Sequence, residues 1–168
     1  MVTAAIVLLA FVTLQRLAEL LLSRKNTQRL VEKGGVEVSP AHYPLIVALH
    51  AAWLGGLWIL AWSAEVRVFW LAVFVLLQLF RIWIIATLGE RWTTRIVILP
   101  GAPLIRSGPY RFLKHPNYLV VALEIAVLPL TFGLVIYAIA FSLLNAGVLA
   151  VRIRAENAAL KKCRVQRE

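Results

Sequence analysis

The sequence predicts an all-α integral membrane protein, a bundle of five helical segments in a single domain over residues 1–168. Three observations support this prediction. Hydrophobic residues make up 61% of the chain, compared with about 45–50% in soluble domains. The mean hydropathy is +0.82. Long apolar runs also alternate with polar stretches that hold most of the basic residues. We therefore expect lipid to cover much of the apolar surface.

The first three segments each have the length of one bilayer crossing. The predicted helices lie at residues 2–22, 43–62 and 68–88. Each has about 20 residues, which span roughly 30 Å in a helix. Only residues 63–67 separate the second helix from the third, so these two are predicted to form an antiparallel hairpin. A polar loop over residues 23–42, broken by Gly34-Gly35, follows the first helix.

The second half of the chain combines a long loop with a tight hairpin. Residues 89–117 are polar and rich in Gly and Pro, and we expect one long cytosolic loop there. Its aromatic and aliphatic residues argue against disorder. The apolar stretch that follows is interrupted by Pro129 and Gly133. It is therefore predicted to form two helices, residues 118–130 and 134–154, the first of which need not cross the bilayer fully.

The distribution of Lys and Arg predicts the orientation of the bundle. With the N-terminus outside, the inner side receives four basic residues in the first loop, five in the long loop and six from Arg152 onward. The outer side receives only Arg67. The long loop and the C-terminus are therefore predicted to be cytoplasmic. The net charge is +10, and we expect these basic residues to bind anionic membrane lipids. We expect no nucleic acid as a partner.

One layer of polar side chains lies at a common depth within the predicted helices. Its members are Arg16, His50, Gln78, Arg81, Glu124 and Asn145, with Glu19 one turn nearer the inner surface. Ionisable groups in a bilayer usually face a bundle interior or a cavity. We therefore expect Glu124 and Glu19 to pair with the two arginines around a polar substrate cavity that opens to the cytoplasm. The alternative is that the arginines only extend to the headgroups.

Two polar clusters could carry chemistry. The denser one covers residues 107–118, where the long loop enters the fourth helix and free N–H groups favour an anion. Its cations, aromatics and His115 suit a ligand with an anionic group and a ring, or equally an interfacial amphipathic segment. The second cluster pairs Arg152 with Glu156, a spacing more typical of an ordinary ion pair at a helix end. With one Cys and no His/Cys cluster, neither a disulfide nor a metal site is expected.

Taken together, the two clusters resemble a known family. Residues 107–118 have the pattern S-G-P-Y-R-x-x-x-H-P-x-Y, a short apolar hairpin follows, and residues 152–156 have the pattern R-x-x-x-E. This order and spacing look like the signature of isoprenylcysteine carboxyl methyltransferase-like membrane enzymes. Residues 88–95 are similar to the lead-in of these enzymes. The N-terminal half looks like the smaller bacterial members, some of which are associated with methylating alkylpyrones.

The resemblance implies an O-methyltransferase that uses S-adenosylmethionine. The implied cofactor-binding residues are Tyr110, His115, Pro116, Asn117, Tyr118 and Glu156, with residues 89–117 as the cofactor-binding loop. Arg152 and Glu156 are the implied catalytic residues, with Arg152 orienting the oxygen of the acceptor. His115 could be a base or only a binding residue. The implied acceptor is a lipophilic molecule such as a prenylated cysteine or an alkylpyrone, which enters from the bilayer.

Two positions depart from the family pattern, and two other functions stay open. Val120 stands where the family often has Gly, and Asn157 stands where it often has a second Glu. Both departures weigh more against a prenylcysteine substrate than against methyl transfer. The first alternative is a membrane reductase that uses NADPH, since sterol-type reductases share a similar C-terminal hairpin and loop. The second is a non-catalytic protein whose basic loops bind anionic lipid or a partner.

Overall fold

The computed structural model describes residues 2–38 and 43–165, and within them the chain forms five α-helices. The helices are α1 (Val2–Glu32), α2 (Tyr43–Ala61), α3 (Val68–Leu88), α4 (Pro116–Thr131) and α5 (Val135–Val165). Four of these, α1, α2, α3 and α5, are long and apolar enough to cross a membrane. Large apolar side chains are exposed along them, as expected where lipid is the solvent. The chain is an integral membrane protein.

The helix α1 is longer than the sequence predicted. Its expected end was at Leu22, but the helix continues through Glu32, so the predicted loop over residues 23–42 is wrong for its first part. Ser23, Asn26 and Leu30 are buried along this extension. They pack against the loop that follows α3, and these distant contacts stabilise helix in a polar stretch where hydropathy gives no signal.

The turn between α4 and α5 ends α4 with a glycine-based motif. The N–H of Leu134 donates to the carbonyl of Pro129, and the N–H of Gly133 donates to that of Leu130, both at 3.0 Å. Gly133 adopts a φ of 76°, a conformation that favours glycine. The chain therefore reverses within residues 132–134, and α5 packs back along α4.

The last two helices differ in length from each other. With 16 residues, α4 is the shorter apolar helix, and it begins at Pro116. In contrast, α5 continues to Val165, so its predicted end at Arg154 is wrong. Ala159 is buried on this continuation. Packing against the rest of the chain therefore extends the helix beyond the end of the apolar run.

Residues 89–115 connect α3 to α4 and contain short pieces of regular structure. Two 3₁₀ turns form at Gly89–Arg91 and Gly108–Arg111. Between them, β2 (Val97–Ile98) pairs antiparallel with β1 (Val36–Glu37), which follows α1. The all-α prediction therefore missed a two-stranded sheet in the described residues. Strands of two residues have no alternation to detect, and their pairing depends on the α1 extension reaching the loop.

Two apolar clusters hold this arrangement together. In the larger cluster, Leu9, Trp53, Phe74 and Leu128 bring together side chains from α1, α2, α3 and α4. In the smaller cluster, the buried residues are Ile84, Trp92 and Val120, and Tyr110 packs against them. This second cluster joins α3, the loop and α4. The loop is therefore anchored on the helices beside the start of α4.

Candidate active site

A cavity of about 740 Å³ lies between the loop, the start of α4 and the C-terminal half of α5. This volume is within the range of pockets that hold small organic ligands. Residues from both predicted clusters line the cavity, namely Tyr110, His115, Asn117, Tyr118, Arg152 and Glu156. The fold therefore brings two distant stretches of the sequence to one place.

Tyr118 is the centre of a hydrogen-bonded chain between α4 and α5. Its hydroxyl donates to Oε2 of Glu156 and accepts from Nε of Arg152 at 2.9 Å. The Arg152 guanidinium carbon also lies 5.4 Å from the centroid of the Tyr118 ring. A phenol from α4 therefore bridges the cation and the carboxylate of α5. Among the described ion pairs none joins Arg152 directly to Glu156, so the bridge through Tyr118 replaces the helix-end ion pair that their spacing suggested.

His115 faces the same carboxylate from the start of α4. Its ring stacks on that of Tyr118, with centroids 5.4 Å apart and planes at 27°. Its Nδ1 atom is 3.9 Å from Oε2 of Glu156. His115 is the N-cap of α4 and precedes Pro116, whose fixed φ suits the first position of a helix. The His-Pro pair therefore starts the helix and brings the imidazole to the site.

Three polar atoms in the residues around this cavity are buried without a hydrogen-bond partner in the described part of the chain. They are Nε1 of Trp92, Nε2 of His115 and Oδ1 of Asn117. Buried polar atoms of proteins are nearly always hydrogen-bonded. A polar ligand could supply the missing partners here.

Tyr110 and Pro116 contribute in different ways. Tyr110 lines the cavity from the 3₁₀ turn at Gly108–Arg111. Burial raises the pKa of its phenol above its usual range, and the nearby Glu156 carboxylate raises it further. The phenol is therefore neutral and able to donate a hydrogen bond. Pro116 is buried at the start of α4, and of the predicted cofactor residues within the described ranges it alone does not line the cavity.

Residues 91–106 form a further wall of the cavity, inside the predicted cofactor-binding loop of residues 89–117, although no single residue of this wall was predicted from the sequence. Trp92 is buried within it, on the smaller apolar cluster. Arg95 binds the Glu37 carboxylate at 2.8 Å and lies over the Tyr43 ring. Arg91 donates to the Pro103 carbonyl at 2.6 Å. The available signal was the lead-in over residues 88–95, where a Trp and two Arg stand together in a polar loop.

The charge around the cavity is strongly positive. Its basic lining residues are Arg91, Arg95, Arg106, Lys114 and Arg152. The acidic residue among the described lining is Glu156. Because Glu37 and the Pro103 carbonyl already engage two of the cations, the remaining positive charge favours a ligand with an anionic group.

A second polar cluster lies inside the helix bundle and is centred on Glu124. Its carboxylate is fully buried. One oxygen accepts from Nε2 of Gln78 at 2.7 Å and from Nε of Arg81 at 3.0 Å. The other is 2.7 Å from Nη2 of both Arg16 and Arg81. Each oxygen of Glu124 therefore contacts two nitrogen atoms of these side chains.

Glu19 completes this intramembrane cluster. Its Oε2 atom is 3.0 Å from Arg16 and 3.2 Å from Arg81, so two arginines and two glutamates balance in charge. The expected pairing of both glutamates with the arginines is present. Within the described residues, however, none of the four lines the 740 Å³ cavity. At this depth the four side chains form a compact, charge-balanced network away from that cavity, and Nε of Arg16 is buried there without a hydrogen-bond partner in the described structure.

His50 and Asn145 were predicted to belong to the same polar layer. Among the described residues, neither makes a hydrogen bond to the four charged side chains. The Nδ1 atom of His50 pairs with the carbonyl of Ile46 at 2.9 Å. Asn145 is 1% exposed, and its Oδ1 has no partner in the described structure. A common depth therefore grouped residues that do not all hydrogen-bond to one another.

The sequence that forms this site matches a known protein family. The sequence profile of the isoprenylcysteine carboxyl methyltransferase family matches residues 70–162. This match covers more than half of the chain and includes all the residues that form the cavity cluster. The chain belongs to this family. Membership supports a membrane methyltransferase over the NADPH-dependent reductase and the non-catalytic protein that the sequence left open.

Two bacterial proteins are similar over nearly the whole chain. The uncharacterized protein YpbQ of Bacillus subtilis (strain 168) is 38% identical over 164 residues, which are 95% of this chain and 98% of that protein. An uncharacterized protein of Haemophilus influenzae is 26% identical over 158 residues, 86% of this chain and 88% of that protein. No solved structure matches the chain significantly. The similarity thus extends to α1 and α2, outside the family profile.

Proposed function

We propose that this protein is an S-adenosylmethionine-dependent O-methyltransferase that acts on a lipophilic acceptor in the membrane. The observation that carries the proposal is the convergence of His115, Tyr118, Arg152 and Glu156 at one cavity of about 740 Å³. Family membership supports methyl transfer. The methyl donor, the oxygen that receives the methyl group and the lipophilic acceptor are our inferences.

The residues around the cavity suit S-adenosylmethionine. Glu156 offers a carboxylate to a positive or hydroxyl-bearing group of the ligand, and Tyr110 offers a neutral donor and an aromatic face. The unpaired atoms of Trp92, His115 and Asn117 could bind its polar edges. When bound, S-adenosylmethionine supplies a methyl group attached to a positively charged sulfonium. A carboxylate beside that charge is electrostatically favourable.

We assign Glu156 and Tyr118 to the donor side of the site. The Tyr118 hydroxyl donates to Oε2 of Glu156, which holds the carboxylate in one orientation. Its other oxygen can then accept a hydrogen bond from a ligand. His115, stacked on Tyr118, restricts the ring further. The three side chains thus form a preorganised surface, as methyl transfer requires, because its rate depends mainly on positioning.

We assign Arg152 to the acceptor side. Because Tyr118 occupies its Nε, the guanidinium keeps its two terminal nitrogens for an anionic oxygen. An acceptor that is already a carboxylate or an enolate needs no strong base, and a fixed cation aligns it. For a neutral hydroxyl, His115 is the side chain of the cluster that could take the proton.

The lining favours an amphiphile with one ionisable oxygen, such as a prenylated cysteine or an alkylpyrone. Leu104, Ile105 and Leu160 line the same cavity as the basic side chains, so an apolar tail and an anionic head could both find contacts. We also propose that the N-terminus is outside and the site faces the cytoplasm. The basis is the distribution of fifteen basic residues on one side and one on the other.

The test is methyl transfer from labelled S-adenosylmethionine. The purified protein in lipid nanodiscs is incubated with the labelled donor and a lipid extract of the source cells, and apolar products are analysed by mass spectrometry. We expect a labelled product that forms much more slowly with Glu156→Gln. A folded protein that labels nothing from such extracts would count against the proposal.

A titration separates the donor from the alternative cofactor. Calorimetry with S-adenosylhomocysteine and, separately, with NADPH uses the same preparation. We expect saturable binding of S-adenosylhomocysteine that is weakened by His115→Ala. Saturable NADPH binding without S-adenosylhomocysteine binding would contradict the proposal and favour a reductase.

A further inference from the structure

We propose that Asn26 is a positioning residue for the donor-binding wall of the active site, an inference that rests on the proposed function. Asn26 lies on the part of α1 that extends beyond the predicted membrane segment. It also lies outside the family profile, which begins at residue 70. Its side chain is buried, with 2% exposed. A buried polar side chain at such a position needs a reason in the structure.

The Asn26 amide holds the backbone where the chain leaves α3. Its Nδ2 donates to the carbonyl of Trp92 at 2.8 Å and to the carbonyl of Gly89 at 3.2 Å. The Gly89 carbonyl also accepts from the N–H of Trp92 at 3.1 Å. One side-chain amide thus closes the turn from residue 89 to residue 92. Buried carbonyls without a donor are costly, so the contact fixes the turn strongly.

Ser23, one turn earlier on the same face of α1, holds the next part of the loop. Its Oγ accepts from the N–H of Thr94 at 2.8 Å and lies 2.7 Å from the Thr94 hydroxyl. Ser23 is also 2% exposed. Two buried polar side chains of one helix therefore bind the loop backbone at residues 89, 92 and 94.

The backbone held in this way belongs to the cavity wall. Trp92 and Thr93 line the cavity, and the Trp92 indole packs on Ile84 and Val120, where Tyr110 also packs. The wall itself has little regular structure, so its position depends on contacts from outside. A helix that fixes it reduces the ordering that a ligand must otherwise impose on binding. Asn26 should therefore control affinity for the donor more than the rate of the transfer step.

Asn26→Asp tests this inference with a minimal change. Aspartate has nearly the same shape, but its ionised side chain has no N–H to donate. Gln28→Glu makes the same chemical change on an exposed position of the same extension and is the matched control. We expect Asn26→Asp to raise the Kd of S-adenosylhomocysteine and the KM of the donor about tenfold, with kcat within about twofold of wild type. Gln28→Glu should match wild type in both.

Hydrogen exchange of the ligand-free protein gives a second readout that needs no activity. The amides of residues 92 and 94 should exchange faster in Asn26→Asp than in the wild type. In Gln28→Glu they should exchange at the wild-type rate. If Asn26→Asp does not fold, Ser23→Ala gives the same readouts, with smaller effects in the same direction. If Asn26→Asp has the donor affinity and the amide exchange rates of the wild type, the inference is overturned. A fall in kcat as large as the fall in donor affinity would also overturn it.

The two proposals fail in different ways. A wild-type protein that binds no S-adenosylhomocysteine would refute the proposed function. Unchanged exchange of the wall in Asn26→Asp, with normal donor binding by the wild type, would refute only the role of Asn26. Faster exchange with unchanged affinity would refute it too, because the contact would then be structural and unrelated to donor binding.

Discussion

Two clusters of arginine and glutamate meet the helix α4, one at Glu124 and the other at Tyr118. Around Glu124, each oxygen of the central carboxylate contacts two nitrogen atoms and the charges of the described partners cancel. None of these charged residues lines the cavity, although Nε of Arg16 has no hydrogen-bond partner in the described structure. Around Tyr118, the cation and the carboxylate share one phenol beside a cavity, and neighbouring polar atoms stay unpaired. The same residue types thus form a charge-balanced cluster away from the cavity, the closed cluster, and a cluster beside the cavity, the open cluster.

The difference shows which cluster is suited to a ligand. A charge-balanced network that adjoins no cavity has no room for a ligand, so its removal should act on folding. The open cluster has unpaired polar atoms beside a volume that a ligand can fill, so its removal should act on binding and rate. A variant of the Glu124 cluster that lost activity but kept its stability would contradict this comparison. So would a variant of the Tyr118 cluster that lost stability but kept its activity. Each variant needs both a stability and an activity measurement.

The largest expected effect is that of Glu124→Leu on stability. Removal of the carboxylate leaves Arg16 and Arg81 buried with only Glu19 to offset them. Breaking a buried ion pair from one side costs about 3–5 kcal/mol. We expect a corresponding fall in the free energy of unfolding, measured by denaturation in detergent micelles. Glu124→Gln, which keeps the shape, should lose less. Wild-type stability and activity in Glu124→Leu would remove the basis of the comparison.

In contrast to Glu124→Leu, Glu156→Gln should lower activity and leave stability nearly unchanged. It removes the carboxylate of the cavity while keeping its shape, and Glu156 is only partly buried. We expect kcat/KM to fall about a hundredfold, within the range for loss of one preorganised electrostatic contact. The melting temperature should stay near that of wild type. Glu32→Gln, the same change at an exposed position of α1, is the control. A large loss of stability without loss of activity would contradict the assignment.

The membrane helices could be predicted from the sequence because hydropathy is a local property. The predicted bounds of α2 and α3 agree with the structure within one residue. The polar extensions of α1 and α5 could not be predicted, since they depend on distant contacts such as that of Asn26 with the Trp92 carbonyl. The sheet pairing of Val36 with Ile98 is equally non-local.

The candidate site shows the same limit. The motif residues Tyr118 and Glu156 could be identified because their order and spacing match a family pattern. The depth of each residue in the bilayer could also be predicted from the sequence, and this depth grouped Arg16 with Glu124. The direction in which each side chain points could not be predicted, because the rotation of a helix about its axis is set by packing. Asn145 was therefore assigned to a network to which no described hydrogen bond joins it.

Tyr118→Phe sharpens the comparison by removing only the bridge of the open cluster. The change deletes the hydroxyl that accepts from Arg152 and donates to Glu156. Loss of hydrogen bonds to charged groups costs about 1.5–3 kcal/mol, so kcat/KM should fall about ten- to a hundredfold. Because both residues act through one hydrogen bond, Tyr118→Phe and Glu156→Gln should be non-additive in a double-mutant cycle. Strict additivity would show that the bridge does not act as a unit.

The smallest expected effect concerns Tyr110 and pH. Burial and the Glu156 carboxylate raise the pKa of this phenol above its ordinary value of about 10. A phenol with a raised pKa keeps its proton as pH rises, and its contribution to stability is lost only above that ordinary value. Tyr110→Phe should therefore lower kcat/KM only about two- to tenfold, the range for one neutral hydrogen bond. The shape of the pH profile between about 7 and 10 should stay the same. If the variant lost an alkaline limb that the wild type shows, the phenol would titrate in this range. The open cluster would then contain a base that its burial argues against.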